Sequence, residues 1–222
     1  MATRTVTQQP AKTARRPRPA ASPRAAAREA RENVYREHIL SAGEKVFAEQ
    51  DFDAAKVQDI SRLAGLSMGS IYALFPSKEQ IYASIIEQRG NELLLLVQGI
   101  AASDLAPLAA LDAMVTTYID YFHAHPEFLR MNVRTGAAWA LRMSYPGTRA
   151  VLAETIHGLQ RTIFARGVAA GVFIDEDPAY LGVLFSGIDQ IHLAHWVAGG
   201  MKDSRDELRD RLRRIVHKTF LR

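Results

Sequence analysis

Hydrophobic residues recur every three or four positions along most of the chain, and no segment shows the strict alternation that is typical of a strand. The first such stripe begins at Val34 and predicts a helix that ends near Gln50. The same spacing predicts helices over 56–64, 67–74, 77–101, 104–124, 146–170, 177–198 and 203–220, with a short helix starting at Pro126. The chain is therefore predicted to be all-α, with about nine helices.

Capping residues mark where several of these helices begin and end. Asp53 is a candidate N-cap for the second helix, Ser67 for the third and Asp203 for the last. Gly65 suits the left-handed conformation that commonly ends a helix. Segment 134–147 indicates an irregular or loosely helical connector. The second and third helices are thus much shorter than most of the others and are separated by one glycine-containing turn.

Positive charge is concentrated at the start of the chain. Residues 1–31 contain eight basic side chains and one acidic side chain, whereas the whole chain contains 28 and 24. Residues 1–23 have almost nothing to bury and are predicted to form a disordered basic arm. The arm is either a solvated extension without function or a flexible segment that adds phosphate or minor-groove contacts. Its Arg-rich, acid-poor composition also resembles a mitochondrial presequence.

Several classes of protein are disfavoured by what the sequence lacks. It contains no cysteine, which excludes disulfides and thiolate metal sites and favours a reducing, cytoplasmic location. Its longest apolar run, Leu93 to Val97, is far shorter than the ~20 residues of a membrane span, so no membrane association is expected. There is no Gly-rich phosphate loop, nucleophile elbow or paired-carboxylate arrangement. We therefore expect neither an enzyme nor a cofactor.

The two short helices, with a longer helix in front, have the form of a helix-turn-helix. Small residues at the start of the second short helix, Ser67, Gly69 and Ser70, would let its N-terminus approach DNA closely. Ile71 and Phe75, four positions apart, are predicted to face the core. This end of the helix is therefore a candidate DNA-contacting surface.

Two further side chains are placed to contact phosphates. Tyr72 lies off the apolar stripe and can offer its hydroxyl to a phosphate, and Lys78 follows the break at Pro76. The alternative is a three-helix subdomain or a helical interaction module with no role in nucleic-acid binding. Substitution of Tyr72 or Lys78 distinguishes these alternatives, because only a DNA-binding protein would lose affinity for DNA.

The stretch from Ile39 to Ile85 resembles the N-terminal DNA-binding domain of the TetR family of bacterial transcriptional regulators. The resemblance is carried by Phe47, Phe52, Val57, Asp59-Ile60, Ala64-Gly65-Leu66-Ser67, Gly69-Ser70-Ile71-Tyr72, Phe75 and Ser77-Lys78-Glu79. It implies a DNA-binding domain at 24–82 and an effector-binding and dimerisation domain at 83–222. Carried over residue by residue, the DNA contacts fall on Lys56, Gln58, Ser67, Met68, Gly69, Ser70, Tyr72 and Lys78.

One departure from the family pattern bears on the fold. Asp51 stands in a turn where the family usually has glycine, so a positive φ is expected there. Aspartate tolerates that conformation better than most residues do. The departure therefore does not put the fold in doubt.

The resemblance also implies a homodimer that binds a palindromic operator on double-stranded DNA, with one recognition helix in each of two major grooves. Dimerisation would use the last two long helices, 177–198 and 203–220. The first of these has a broad apolar surface, made by Leu181, Leu184, Phe185, Ile188, Ile191 and Leu193. The alternative is that these residues form only the core of a single protomer.

By the same resemblance, a small-molecule effector would bind a cavity among the central helices and release a repressor from DNA. The aromatic and methionine content of the candidate lining suggests that this effector is apolar or amphipathic. The candidate lining residues share aromatic, histidine or methionine side chains: Tyr118, Phe122, His125, Trp139, Met143, Tyr145, Phe164, Phe185 and His192. Each of them could equally be part of the plain core. The sequence does not choose a particular molecule.

Four histidines offer a second hypothesis, a metal sensor or a metal-dependent hydrolase. His123 and His125 lie near the end of one helix, and His192 and His195 lie three positions apart on another. No glutamate accompanies a histidine pair as it does in zinc proteases. Satisfied or solvent-facing histidines are the simpler interpretation, and no metal ligand is assigned.

Overall fold

The computed structural model of the chain describes residues 22–134 and 148–222, and within these ranges it confirms the all-α prediction. The described ranges hold nine helices: α1 Pro23–Glu49, α2 Val57–Ala64, α3 Met68–Leu74, α4 Lys78–Ala101, α5 Pro107–Ala124, α6 Pro126–Arg134, α7 Thr148–Ala169, α8 Pro178–Ala198 and α9 Arg205–Phe220. No helix in this part of the chain has both the length and the hydropathy that crossing a bilayer needs.

Two of the predicted boundary signals are confirmed at the short helices. Gly65 ends α2 with φ 67°, and Ser67 accepts a hydrogen bond at 3.1 Å from the Ser70 amide at the start of α3. Both signals act within a few residues of the chain. The turn between α2 and α3 is therefore specified locally.

Three other local predictions are wrong. Lys56, not Asp53, stands at the N-cap of α2, and its side chain makes no capping bond. Ser204, not Asp203, caps α9, because Ser204 and Glu207 form a reciprocal capping box. Asp51 does not adopt a positive φ: Met201 is the only non-glycine residue of the described ranges that does. The turn at Asp51 instead closes when its carbonyl accepts the Ala55 amide at 2.9 Å.

The start of α1 lies inside the segment predicted to be a disordered arm. Ser22 caps the helix by accepting the Ala25 amide at 3.3 Å, and Pro23 occupies the first turn, where its missing N–H costs nothing. Residues 1–21 and 135–147, which include most of the predicted connector, lie outside the described residues. The first buried side chain of α1 is Ile39, so the helix before it is largely solvated.

Helix α4 connects the short helices to the rest of the molecule. Its first turns pack on α1, where Tyr82 meets the rings of Phe47 and Phe52 with centroids 5.2 and 5.1 Å away. Its later turns pack on α5 and α7. A second aromatic group joins α7, α8 and α9: the centroid of Phe164 lies 5.0 Å from that of Phe220 and 6.2 Å from that of Phe185. Movement of α4 would therefore affect α1 on one side and α5 and α7 on the other.

Candidate DNA-binding surface and effector cavity

Helix α3 is held by its buried face. Ile71 is fully buried and Phe75 is 2% exposed, which confirms the prediction that they face the core. Tyr72, next to Ile71, is 48% exposed. Because neighbouring positions of a helix point about 100° apart, burying Ile71 turns Tyr72 outward. The sequence of α3 thus fixes which side of the helix meets a partner.

Most of the predicted DNA contacts lie at the surface of α2 and α3. Lys56 and Gln58 are exposed at the start of α2, and Ser67, Gly69 and Tyr72 are exposed around α3. Ser70 and Met68 are half-buried, and Met68 also packs against the hydrophobic core. Lys56 and Gln58 therefore form one group at the start of α2, and the other five residues form a second group on or next to α3.

The hydroxyl groups of Ser67 and Ser70 are committed to each other. Their oxygens lie 2.9 Å apart, and Ser67 also caps α3. A base contact by Ser67 would have to share this hydroxyl with the cap. The position of Ser67 therefore supports a role in shaping α3 alongside the predicted role in DNA binding.

Lys78 has a structural role that the sequence did not indicate. Its ammonium donates to the backbone carbonyls of Phe52, Asp53 and Ala55, and it lies 4.4 Å from the centroid of the Phe52 ring. An ammonium has three N–H donors, so these carbonyls occupy all of them. Lys78 thus fixes the turn between α1 and α2. Its predicted contact to a DNA phosphate would require it to leave that turn, and the contact stays a prediction.

A cavity of about 120 Å³ lies among helices α4 to α8. It is lined from α4, α5, α6, α7 and α8 by Ile86, Gly90, Leu93, Tyr118, Phe122, Phe128, Asn132, Leu152, Ala153, Ile156, His157, Ser186, Asp189 and Gln190. Tyr118 and Phe122 are the two predicted lining residues among them. Trp139, Met143 and Tyr145 lie outside the described residues.

Four other predicted lining residues do not line this cavity. Phe164 and Phe185 are fully buried in the aromatic group between α7, α8 and α9. A ring nitrogen of His192 lies 3.0 Å from the Leu208 carbonyl and so joins α8 to α9. His125 lies against a cluster of charged residues, with its Nε2 atom 4.0 Å from Glu92. Aromatic and histidine side chains fill cores as readily as they line pockets, which is why residue type alone misplaced them.

The cavity has a polar end that the sequence prediction missed. Gln160 donates to the Tyr118 hydroxyl at 3.0 Å, and Ser186 donates to the side-chain Oε1 of Gln160 at 3.0 Å. Asp189, one turn after Ser186, is 2% exposed. Burial raises the pKa of Asp189 to about 8, and burial followed by the charge of Asp189 raises the pKa of Tyr118. The feature of the sequence that could have indicated this polar end is Asp189 itself, an aspartate on a buried face of α8.

The histidines do not form a metal site in the described part of the chain. No group of three or more candidate ligands is close enough to hold an ion there. The ring of His123 stacks on that of Trp196 with centroids 5.7 Å apart, and burial lowers the pKa of His125 and of His192. These placements do not favour the metal hypothesis.

A cluster of charged residues connects α1, α4 and α5. Arg89 donates to the same Glu44 oxygen at 3.1 and 3.0 Å and to Glu92 at 3.0 Å. Tyr121 donates to the Arg89 carbonyl at 2.6 Å. Burial opposes the charge of Arg89, but Glu44 and Glu92 outweigh it and raise its pKa above the ordinary value. Arg89 thus joins α4 to α1 through its guanidinium and to α5 through its backbone carbonyl.

The apolar surface predicted for dimerisation divides into two parts. Leu181, Phe185 and Leu193 are fully buried in the protomer's own core. Leu184 and Ile188 are half-buried, and Ile191 is 64% exposed. Of these six residues, only Leu184, Ile188 and Ile191 are therefore available to a partner.

Comparison with known proteins agrees with this geometry. The family model for "Bacterial regulatory proteins, tetR family" matches residues 39–85, which contain α2, α3 and the helix ends that hold them. The HTH-type transcriptional repressor NicS of Pseudomonas putida is 28% identical over 141 residues, 64% of this chain and 66% of that protein. The chain thus matches just under two thirds of the length of NicS.

Two further comparisons extend over most of the chain. The HTH-type transcriptional repressor SCO4008 of Streptomyces coelicolor is 27% identical over 198 residues, 81% of this chain and 92% of that protein. A transcriptional regulator FadR from Bacillus subtilis, solved in complex with stearoyl-CoA, has a TM-score of 0.66 at 16% identity and covers 81% of this chain and 96% of its own. The likeness to FadR shows a shared fold.

Proposed function

The chain is a member of the TetR family of bacterial regulatory proteins, and we propose that it is a transcriptional repressor that leaves a palindromic operator when a small molecule binds its second domain. In this proposal residues 24–82, with α1 extended back to Pro23, form the DNA-binding domain, and residues 83–222 bind the effector and dimerise. The observation that carries the proposal is the orientation of α3, with Ile71 buried and Tyr72 exposed.

The proposed DNA contacts follow from this orientation. With Tyr72 outward, the start of α3 can enter a major groove, while Tyr72 and Lys56 contact the phosphates beside it. Ser70 is close enough to the same end to contact bases. Gly69 adds no side chain and would allow close approach to the groove.

Effector release is proposed to act through α4. Ile86, Gly90 and Leu93 of α4 line the cavity, and Lys78 at the start of the same helix holds the turn before α2. A ligand that binds better to one position of α4 would shift the balance between DNA-binding and released states.

We expect Tyr72→Ala to weaken binding to every duplex about tenfold, which corresponds to about 1.4 kcal/mol, because it removes a phosphate contact rather than a base contact. Ser70→Asn should instead change the ranking of duplex sequences. The measurement is fluorescence anisotropy with a fragment of the chain's own promoter and a scrambled duplex at one salt concentration.

Leu95→Ala is the matched control, since Leu95 is 69% exposed on α4, away from the short helices. It should bind both duplexes as the wild type does. Wild-type affinity in the Tyr72→Ala variant would remove the main support for the proposed DNA surface.

Dimerisation is proposed to bury the exposed part of α8 against the same helix of a second protomer. Ile191→Glu places a charge on this apolar surface, so we expect a monomer by light scattering at concentrations where the wild type is a dimer. Leu95→Glu, an equally exposed change on α4, should remain a dimer. A dimeric Ile191→Glu variant would place the interface elsewhere.

A further inference from the structure

Asp189 is an acidic side chain in the wall of an apolar cavity, and the residues that the structure describes place no positive charge opposite it. It is 2% exposed, and its Oδ1 atom has no hydrogen-bond partner in the part of the chain that the structure describes. The described lining residues include no lysine or arginine. Buried polar atoms are almost always paired, so a missing partner at a cavity wall indicates a position for a ligand atom.

The neighbours of Asp189 do not supply the missing charge. Tyr118 on α5 and Gln160 on α7 are hydrogen-bonded to each other, and Ser186 on α8 donates to Gln160. His157, on α7, lines the same cavity, and burial lowers its pKa, which favours the neutral ring. Tyr118, Gln160 and Ser186 are therefore hydrogen-bonded to one another, and none of them offers a positive charge to the Asp189 carboxyl.

The rest of the cavity fits the body of a small aromatic or aliphatic molecule. Phe122 and Phe128, whose rings stack with centroids 6.1 Å apart, line it together with Leu93 and Ile156. Its volume of about 120 Å³ is comparable with that of a cavity of about 150 Å³ that holds benzene in another protein, and it is partly open to solvent, so a ring with a short side chain can enter it. Aromatic walls also stabilise a nearby cation.

We propose that this cavity binds a small organic monocation, an ammonium or amidinium group on an apolar body about the size of one aromatic ring, with the charged nitrogen on Asp189. The inference rests on the proposed function, because it names the chemical class of the effector. A neutral alcohol would leave the carboxyl protonated and would make only a neutral hydrogen bond, whereas an ammonium would make a charge-assisted bond to the ionised carboxylate. A carboxylate ligand would be repelled by that ionised form.

The charge of Asp189 makes binding depend on pH. Burial alone raises the pKa of Asp189 to about 8, so near pH 7 the empty site mostly holds a protonated carboxyl. An ammonium ligand favours the ionised carboxylate, and the displaced proton passes to solvent. Affinity should therefore increase as the pH rises from 6 to 8.

The test compares phenethylammonium with 2-phenylethanol, which has the same body and nearly the same size but no charge. Calorimetry at pH 7.5 should show the ammonium binding at least tenfold more tightly. In two buffers of different ionisation enthalpy, it should also show proton release. Asp189→Asn should abolish the preference while changing affinity for the alcohol by less than about twofold.

The matched control is Asp177→Asn, an exposed aspartate that caps the same helix and that asparagine can replace as a cap. It should keep the preference for the ammonium. Equal affinity for the two probes, a preference that survives in Asp189→Asn, or no binding of either probe would each overturn the inference.

DNA binding is measured separately, without either probe. Asp189→Asn should bind the promoter fragment as the wild type does, because Asp189 lies outside α1, α2 and α3. A chain that binds this DNA but ignores phenethylammonium would refute the monocation and leave the proposed repressor intact. A chain that binds the ammonium but no DNA would refute the repressor instead.

Discussion

The Asp189→Asn variant is expected to be more stable than the wild type, by an amount that grows as the pH rises from about 4 to about 8. In the folded chain burial raises the pKa of Asp189 to about 8, whereas an unfolded aspartate has a pKa of about 3.9. Between these values the folded state holds a proton that the unfolded state has released. The wild type therefore loses free energy of unfolding as the pH rises, by about 1.4 kcal/mol per unit.

The stabilising contribution of the protonated carboxyl is fully present below about pH 4 and is lost as the pH approaches 8. Above pH 8 both states are ionised, and the loss levels off at a few kcal/mol. Asparagine has the same shape and no proton to lose, so its free energy of unfolding lacks this dependence. The measurement is urea unfolding of both proteins at pH 4.5, 6 and 8.

The difference in free energy of unfolding between the wild type and Asp189→Asn separates the effect of Asp189 from the effects of other titrating groups. Burial lowers the pKa of His125 and His157, and their effects on stability are the same in both proteins. Asp177→Asn serves again as the exposed control and should show no such difference. A constant difference between wild type and Asp189→Asn across this pH range would mean that the Asp189 carboxyl is not desolvated.

The features that the sequence predicted well are those set within one or two helical turns. The end of α2 at Gly65 and the cap of α3 at Ser67 need only neighbouring residues. The burial of Ile71 and the exposure of Tyr72 follow from helical spacing once α3 is placed. The Ser204–Glu207 capping box was equally local, and the prediction failed there because Asp203 offered a competing cap one position earlier.

The features that the sequence did not predict depend on contacts between distant segments. Lys78 meets carbonyls that lie 23 to 26 positions earlier, so no local pattern marks its role. Helix α8 is apolar on several sides, and its periodicity could not show which side faces the cavity. For this reason the sequence does not mark Asp189 as a cavity residue, and the prediction places Phe185, on the same helix, in the cavity although it lies in the core.

Arg89→Met is expected to lower the free energy of unfolding by about 3 kcal/mol or more, because it leaves Glu44 without its partner. Glu44 is 6% exposed, and two of the Arg89 nitrogens donate to one of its oxygens. Removing one member of a buried ion pair strands the other charge. Methionine keeps much of the length of the arginine stem, so packing is largely retained.

The double variant Glu44→Gln/Arg89→Met tests this cause. It removes both charges, so it should recover much of the stability that Arg89→Met loses, and the double-mutant cycle should give a coupling energy of about 1 to 3 kcal/mol. Arg28→Met is the control, since the Arg28–Glu32 pair on α1 is exposed and should contribute little. An uncoupled cycle would mean that Glu44 is solvated despite its position.

The Glu44–Arg89 ion pair is expected to control how far α1 moves when α4 moves. Glu44 lies on α1, Arg89 lies one position from Gly90 in the cavity wall, and Tyr121 of α5 holds the Arg89 carbonyl. If the proposed release from DNA passes through α4, the double variant should fold and bind the promoter fragment but release it less completely with an effector. Anisotropy with and without phenethylammonium measures this. Unchanged release would assign the transmission to the packing of α4 on α1 and exclude the ion pair.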